Sequence, residues 1–540
     1  MPPLNRYLWF IPLLLALAFG LRRSSSQPPS DFAGYYYGGR ALIHGQYADA
    51  YDMAKLNDRI LADGYTDVLV SYAPFPPFSS LIFAPFFGWK MPAAKLIFNL
   101  FSIAVFLISL ARLTRFLSTP PYLVLALPVV FFIPLLNNLA FGQSYLLLFA
   151  LLTEGYLAYR KDRIILSSLL WAAAILFKLT PAFLFIFLLL RRQYRSAAFL
   201  ALACAALLLP SLWVNGFAAW KFYATTVVPR MNHGELNDSF TYVFQSAYML
   251  LKKAFQFDQL LNPHPLLDNA WLFTGFMALF KAAILSIAAV LTLRDKDDFY
   301  PFTVWIAACL LISPNGSSYS LVLLILPLLG LAHRITLQTS RNRTFSLDIL
   351  AAALLLAAAS TLSVGRFGAF PLWAQFPRLY LLLLFFALLW WQQRRSWNPA
   401  LFSVLSLLFF ALDIRGNLPP KENSIYALEK EEHLYICDYT TRDNRLVYYW
   451  RDDKGRHEQP AGIPISSLSN DSVILKDNQI WYKGLQLTVT SDQKAKPSLV
   501  NGEYILYLSD EHRGFDFYTL RTFLLVAKPP GSATIPAVSR

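Results

Sequence analysis

Residues 30–42, Ser-Asp-Phe-Ala-Gly-Tyr-Tyr-Tyr-Gly-Gly-Arg-Ala-Leu, stand just after the first apolar segment of the chain, Leu8–Leu21. The stretch holds a single carboxylate, Asp31, among aromatic and small residues. Apolar runs recur downstream, for example Tyr122–Leu136 and Ala351–Leu362, and such runs are typical of helices in a bilayer. Because charge is expensive inside a membrane, a carboxylate at its boundary is a candidate functional group.

The composition indicates an integral membrane protein. Hydrophobic residues make up 56% of the 540 residues and charged residues only 15%. Residues 1–413 carry the whole net charge of +14, with 31 Lys and Arg against 17 Asp and Glu, whereas residues 414–540 hold 16 of each. A basic excess of this kind is typical of the inside loops of a membrane protein, so we predict no nucleic-acid partner.

The apolar runs predict a polytopic α-helical membrane module over residues 1–413, with about 13 transmembrane helices (roughly 11–13). The distribution of Lys and Arg predicts a cytoplasmic N-terminus, a first outer loop at 22–92 and a second outer loop at 214–268. Residues 164–190 are too short for two full passes, and Lys178–Pro181 lies at their middle. We therefore predict a broken helix pair there.

The composition changes at residue 414. Short segments rich in β-formers, such as Arg445–Trp450 and Ile480–Tyr482, are separated by turn residues. They predict a soluble β-rich domain over 414–540, which an odd number of spans places outside the membrane. The three cysteines are scattered without disulfide or metal-ligand spacing, so we predict no metal and no cofactor.

Charged residues at the outer side are the candidates for chemistry. The acidic candidate is Asp31, and the basic candidates are Lys178, Arg230, His233, Arg366 and Arg378. Arg and Lys bind phosphate and stabilise developing negative charge, while a carboxylate accepts a proton as a general base. Each residue also has a structural alternative. Asp31 could cap a helix, Lys178 could extend its amine to the interface, His233 could be a surface residue, and Arg366 could be an interfacial anchor.

A series of short motifs resembles the GT-C-fold glycosyltransferases that use polyprenyl-phosphate sugars, in particular glycosyltransferase family 87. The motifs occur in family order over about residues 8–330. They are Asp31–Phe32 with Tyr35–Tyr36, Ala41–Leu42 and Gly45, Tyr72 with Phe75–Pro77, Phe141–Ser144, Phe177–Pro181, Asn237–Phe240 and Ser313–Pro314.

This resemblance implies a metal-independent, inverting transfer of a sugar, a mannose-like hexose, from a polyprenyl-phosphate donor to a lipid or glycan acceptor on the outer face. It implies that Asp31 is the general base, and we keep His233 as the reserve candidate. We expect the donor phosphate near Lys178, Arg366 and Arg230, and we expect Tyr35, Tyr36, Tyr72, Gln143 and Asn237 to line the substrate site. The family usually shows Asn-Gln-Ser where this chain has Asn237–Ser239.

The predicted location is a bacterial inner (plasma) membrane, with a multi-pass chain in contact with membrane lipid and the β-rich domain outside the cytoplasm. Two other classes remain open. A lipid-linked-sugar flippase or other transporter usually carries internal repeats, and the first-loop motif has no second copy in the sequence. An O-antigen-type polymerase would instead join two lipid-pyrophosphate glycans.

Overall fold

The computed structural model describes most of the chain. The described residues are 8–27, 30–65, 68, 70, 75–235, 240–258, 261–337, 343–360, 364–417, 424–427, 436–452, 455–469, 472–476, 478–490, 492–511 and 519–524. The described part up to residue 417 is helical, and strands follow from residue 424. This arrangement confirms a mostly helical protein with several apolar helices and a C-terminal sheet region.

The helices follow one another with short connections. They are α1 (Ile11–Ser25), α2 (Ser30–Ala33), α3 (Gly39–Ile43), α4 (Tyr47–Ala50), α5 (Met53–Ala62), α6 (Ser79–Phe83), α7 (Met91–Phe116), α8 (Leu127–Val130), α9 (Phe132–Phe141), α10 (Tyr145–Tyr159), α11 (Ile164–Phe177), α12 (Phe183–Leu190), α13 (Tyr194–Phe222), α14 (Val228–Asn232), α15 (Ala247–Phe255), α16 (Ala270–Arg294), α17 (Phe299–Ile312), α18 (Ile325–Leu337), α19 (Arg343–Ala359), α20 (Pro377–Gln393) and α21 (Pro399–Asn417). Gly34–Gly38 and Tyr223–Val227 form π-helical turns, and 3₁₀ turns occur at Ala84–Phe86, Pro121–Ala126, Thr180–Ala182, Ser318–Leu324, Val364–Ala369, Leu372–Ala374 and Arg394–Ser396.

Fewer helices than predicted are long enough to cross a bilayer. Within the described residues, 4 helices pass by length and apolar composition: Met91–Phe116, Tyr194–Asn232, Ala270–Arg294 and Ser318–Leu337. The bent pair Tyr122–Val130 and Phe132–Phe141, with 61° between its halves, would make a fifth. The expected number of about 13 spans is therefore not confirmed. Many apolar runs form helices of 10–17 residues, which at about 1.5 Å per residue fall short of a ~30 Å hydrocarbon core.

The predicted break within residues 164–190 is confirmed, whereas the predicted end of a helix before residue 214 is wrong. The run at 164–190 is divided into α11 and α12, because Lys178 takes an extended conformation (φ −144°, ψ 122°) and Pro181 follows. In contrast, α13 continues to Phe222 although we predicted a loop from residue 214. Only Gly216 interrupts it, with a non-helical φ of 81°.

Arginines that the sequence assigns to the cytoplasmic loops meet at one end of the helices. Asp298 accepts ion pairs from Arg160 at 2.9 Å and from Arg191 at 3.0 Å. Arg191 also donates to the backbone carbonyl oxygens of Asp295 and Asp297, each at 2.6 Å. Arg334 pairs with the Asp295 carboxylate. The acidic loop between α16 and α17 thus joins basic loops from distant parts of the sequence.

The strands form three antiparallel sheets in the C-terminal region. The strands are β1 (Ser424–Tyr426), β2 (Ile436–Arg442), β3 (Arg445–Asp452), β4 (Gly455–Pro464), β5 (Leu468–Ser469), β6 (Val473–Lys476), β7 (Gln479–Tyr482), β8 (Leu485–Gln486), β9 (Lys494–Val500), β10 (Tyr504–Ser509) and β11 (Thr519–Leu524). Their orders are β1-β11-β10-β9-β5, β2-β3-β4 and β6-β7-β8. Buried residues of β10 and β2, such as Leu506, Leu508 and Ile436, form a core of their own.

The turn after α9 joins two distant parts of the chain. Gly142 adopts a left-handed conformation (φ 67°, ψ 36°) and its N–H donates to the Leu139 carbonyl at 3.1 Å. The N–H of Gln143 reaches back to the Asn138 carbonyl at 2.7 Å, which completes a Schellman cap. A Cβ at Gly142 would lie 2.6 Å from the Cβ of Phe32. The turn therefore needs glycine both for its backbone conformation and for its contact with α2.

We predict that Gly142→Ala lowers the free energy of unfolding by about 2–4 kcal/mol. About 1–2 kcal/mol is the cost of left-handed backbone for an L-residue, and the remainder is overpacking against Phe32. The matched control is Gly45→Ala, because Gly45 has a similar φ of 73° and a Cβ added there would meet no atom within 4 Å. We expect it to cost only the backbone term. Thermal unfolding of the purified proteins measures both, and equal losses would contradict the role of the Phe32 contact.

Candidate active site

The first element of the site is a hydrogen bond between a carboxylate and an amide from distant parts of the chain. Asp31 lies in α2 and is half-buried. The Nε2 of Gln143 donates to Asp31 Oδ2 at 2.6 Å. Because Gln143 follows the Schellman turn directly, the packing of Gly142 on Phe32 brings the amide to the residue before Phe32. The bond fixes one carboxylate oxygen of Asp31.

Tyr35 forms the next layer of the site. Its hydroxyl donates to Gln143 Oε1 at 3.2 Å and lies 3.0 Å from the Ser144 Oγ. The ring is fully buried, with its centroid 3.9 Å from that of Phe75 and 4.3 Å from that of Phe83. Tyr35 therefore orients the amide group that holds Asp31, and it ties this amide to the aromatic core of the first outer loop.

Lys178 brings a positive charge to the same place. Its extended backbone ends α11, so the side chain leaves the helix at the break before Pro181. Nζ lies 3.9 Å from the ring centroid of Tyr145 and 5.6 Å from that of Phe75. A cation over aromatic faces is stabilised by the ring quadrupoles. Since Phe75 also contacts Tyr35, Lys178 and Asp31 share one group of neighbours.

The electrostatics of the two charged residues are coupled. Burial raises the pKa of the Asp31 carboxyl above its usual value, whereas the Gln143 hydrogen bond and the charges of Lys178 and Lys95 oppose this rise. Burial lowers the pKa of Lys178 to about 7, and the Asp31 charge opposes this fall. The two described side chains attract each other without an ion pair of 4.0 Å or less between them. The carboxylate of Asp31 and the ammonium of Lys178 therefore lie near each other, and neither is neutralised by an ion pair with the other.

A second lysine, Lys95 of α7, is buried near this pair. Its Nζ donates to the Ala140 carbonyl at 2.5 Å and lies 3.4 Å from the Ser24 carbonyl oxygen. These carbonyls belong to the C-terminal turns of α9 and α1, where helix dipoles favour a positive charge. Lys95 thus supports the helix ends that carry Gln143 and precede Asp31. We did not single it out from the sequence, because a lysine within an apolar run gives no sign of its distant carbonyl partners.

Three residues that the sequence placed in the site lie among other partners. The Tyr36 hydroxyl donates to the Trp89 carbonyl at 2.8 Å. Arg230 is buried in an ion pair with Glu235 at 2.9 Å, in the same turn as His233. The His233 carbonyl accepts a hydrogen bond from the Tyr248 hydroxyl. These contacts give Arg230 and Tyr36 structural partners, and they fix the backbone of His233.

The remaining predicted site residues lie outside the described residues or at the start of α20. Tyr72 and Asn237 lie outside the described residues, as does the side chain of Arg366, whose backbone belongs to the 3₁₀ turn Val364–Ala369. Arg378 is buried at the start of α20, and its backbone N–H donates to Gln245 Oε1 at 3.2 Å. The structure therefore brings Asp31, Tyr35, Gln143 and Lys178 together out of the predicted set.

Further residues complete the site. The ring of Tyr319 lies 5.6 Å from Tyr145 and 6.0 Å from Phe141 between centroids. Ser144 and Tyr145 follow Gln143 directly, which is the signal that could have found them, whereas Tyr319 is distant in sequence. We call Asp31, Tyr35, Gln143, Ser144, Tyr145, Lys178 and Tyr319 the Asp31 site.

The Asp31 site combines a hydrogen-bonded carboxylate, a half-buried ammonium and aromatic rings. This combination can accept a proton, bind an anion and pack against the apolar faces of a sugar ring. In the described part of the chain, no group of three or more His, Cys, Asp or Glu side chains is placed to hold a metal ion.

Comparisons with known proteins agree with the motifs read from the sequence. Residues 73–314 match the sequence model of glycosyltransferase family 87. This stretch includes Gln143 and Lys178 and begins after Asp31. A search of curated proteins found no match. The family match confirms the predicted resemblance and, with it, the prediction that the protein is a glycosyltransferase.

We predict that Lys178 titrates far below an ordinary lysine and that Asp31 controls the midpoint. Labelling of Lys178 by a small amine-reactive reagent, resolved by mass spectrometry, should rise with pH around a midpoint of about 7. Asp31→Asn removes the charge that raises the Lys178 pKa, so the midpoint should move to lower pH. A midpoint that stays in place or rises in Asp31→Asn would show that the two groups are not coupled.

Proposed function

We propose that this membrane glycosyltransferase, whose residues 73–314 match family 87, transfers a sugar from a polyprenyl-phosphate donor to a lipid or glycan acceptor. The observation that carries the proposal is the meeting of Asp31 and Lys178 in one site without a direct ion pair. Such a site offers a base for an incoming hydroxyl and a cation for a leaving phosphate, which are the two charges that this reaction needs.

In the proposed reaction, Asp31 takes the proton of an acceptor hydroxyl while the acceptor oxygen attacks the anomeric carbon of the donor sugar. The bond between that carbon and the phosphate oxygen breaks on the opposite side. The leaving group is polyprenyl phosphate, and the attack inverts the anomeric configuration. Lys178 stabilises the negative charge that develops on the phosphate. Gln143 holds Asp31 in place through its hydrogen bond.

The finer points of this function rest on the resemblance described above. We propose a mannose-like hexose as the sugar, the outer face of a bacterial plasma membrane as the place, and a cytoplasmic N-terminus. The aromatic rings of Tyr145 and Tyr319 are suited to a sugar ring or an isoprenoid end, since both are half-buried and Tyr145 lies between Lys178 and Tyr319. A panel of labelled polyprenyl-phosphate sugars, scored by release of polyprenyl phosphate, tests donor and sugar together. Movement of the donor across the membrane without release would favour a transporter, and a requirement for lipid pyrophosphate would favour a polymerase.

Asp31→Asn is expected to lower the rate of sugar transfer by about 10²–10⁴-fold, because an amide cannot accept the acceptor's proton. Donor binding should be retained, since the substitution preserves shape. The control is Asp49→Asn in the same outer loop, where Asp49 instead pairs with Lys55 at 3.0 Å and Arg59 at 2.5 Å. Initial rates with labelled donor measure both variants. Transfer by Asp31→Asn at the wild-type rate would exclude Asp31 as the base.

Gln143→Leu is expected to move the acid limb of the rate profile to higher pH. The Gln143 hydrogen bond lowers the Asp31 pKa, so its loss lets burial raise that pKa further. A base must be ionised to act, and the rate should therefore begin to rise at a higher pH than in the wild type. Gln193→Leu is the matched control, because Gln193 is exposed at the start of α13. An unchanged or acid-shifted limb in Gln143→Leu would contradict this assignment.

A further inference from the structure

A buried charged network joins the C-terminal β-rich region to the helical part of the chain. Arg230 of α14 donates from Nε to Glu235 at 2.9 Å and from Nη1 to the Gln493 Oε1 at 2.9 Å. Its Nη2 pairs with the carboxylate of Asp510. The side chains of Arg230, Glu235 and Asp510 are 6%, 3% and 0% exposed. Charges this deeply buried are stable only when they are paired, so the network indicates a specific docking.

A second contact joins the same region to the first outer loop. Arg451 of β3 has a side chain only 6% exposed, and it pairs with Asp58 of α5, which is 53% exposed. Gln493 and Asp510 flank β9 and β10, whereas Arg451 lies in another sheet. Two separate sheets therefore each hold one segment of the helical part.

Both held segments pack into the hydrophobic cluster that surrounds the Asp31 site. Leu56 and Ile60 of α5 belong to this cluster, as do Tyr223 and Val227 of the π turn that leads into α14. The same cluster contains residues next to or within the site, namely Phe32, Tyr35, Phe75 and Phe177. A displacement of α5 or α14 would therefore be transmitted through close packing to the walls of the site.

The α5 segment also holds Phe75 by polar contacts. Asn57, next to Asp58, donates to the Val70 carbonyl at 2.8 Å and accepts from the Val70 N–H at 3.0 Å. The Tyr51 hydroxyl donates to the Phe75 carbonyl at 2.9 Å. Phe75 in turn contacts Tyr35 and lies near Lys178. Asp58, the partner of Arg451, thus lies in a helix that shares one hydrophobic cluster with Tyr51 and Phe75, beside the cation of the Asp31 site.

We propose that the C-terminal β-rich region is a clamp that holds α5 and α14 in place over the Asp31 site, and that Asp510 and Arg451 are positioning residues for sugar transfer. The clamp acts on the reaction by keeping Tyr35, Phe75 and Lys178 in one arrangement, so that they need not be ordered when the substrates bind. The effect on the rate rests on the proposed function, whereas the mechanical coupling stands without it. The β-rich region is thereby placed on the same side of the membrane as these two segments.

The experiment uses the full-length protein with Asp58→Asn, Asp510→Asn and both together. Each change preserves side-chain shape, and Asp510→Asn leaves Arg230 paired with Glu235. Asp58 is exposed enough for its variant to fold even if Asp510→Asn does not. The matched control is Glu458→Gln, which breaks the exposed pair with Arg442 at 2.5 Å within the β-rich region itself. Asp58→Glu retains the charge and serves as the rescue variant.

Hydrogen exchange of residues 51–62 and 223–232 measures the clamp without any substrate. In the double variant we expect exchange in both segments to become faster by on the order of tenfold, because hydrogen bonds to charged groups contribute to local stability. Asp58→Asn alone should affect mainly residues 51–62, and Glu458→Gln should affect neither segment. Unchanged exchange in both segments of the double variant would overturn the clamp.

Sugar transfer measures whether the clamp positions the site. At a temperature at which every variant remains folded, kcat of the double variant should fall by on the order of tenfold, and Asp58→Glu should keep the wild-type kcat. Faster exchange with unchanged kcat and KM would overturn the positioning role. If the wild type transfers no sugar from any donor, the proposed function fails, while hydrogen exchange still decides whether the clamp exists.

Discussion

The contact between Gly142 and Phe32 is the constraint on which the candidate site depends. A helix that ends in a left-handed glycine turns the chain sharply, and here the turn presents Gln143 to Asp31. No side chain at residue 142 would leave room for Phe32, because even a Cβ would come within 2.6 Å. The close packing of Gly142 against Phe32 therefore sets the position of Asp31, a carboxylate more than a hundred residues away in the sequence.

The charges of Asp31 and Lys178 depend on a balance between burial and their polar neighbours. Burial alone would favour a neutral carboxyl at Asp31 and a neutral amine at Lys178. The charge of Asp31 is favoured by Lys178, by the Gln143 amide and by Lys95, which is itself held at two helix ends, whereas the charge of Lys178 is favoured by Asp31. Because the two groups attract each other without an ion pair, neither charge is neutralised by direct pairing with the other. The buried network of Arg230 is different, because there the guanidinium is paired with the carboxylates of Glu235 and Asp510 and holds two parts of the fold together.

Charged contacts also organise the two ends of the molecule in different ways. At one end, Asp295–Asp298 joins arginines from several loops, so that basic loops distant in sequence share an acidic centre. At the other end, Arg230 and Arg451 join the β-rich region to the segments that surround the Asp31 site. The β-rich region is thus in contact with segments that pack around the Asp31 site.

The sequence alone determined the class of the protein and proposed several residues of the candidate site. Long apolar runs and few charges indicate a membrane protein. The scarcity of charge pointed to Asp31 and Lys178 as candidates, and the family resemblance added Tyr35 and Gln143. Helix lengths were less predictable. The break at Lys178 follows from Pro181, but the continuation of α13 beyond residue 214, through the kink at Gly216, depends on local backbone conformation and not on hydropathy. Only the tertiary structure decided that Gln143 holds Asp31, that Tyr145 lies beside Lys178 and Tyr319, and that Arg230 is paired with Asp510 and Glu235. These are contacts between residues far apart along the chain, and their partners are chosen by packing, which no local pattern records.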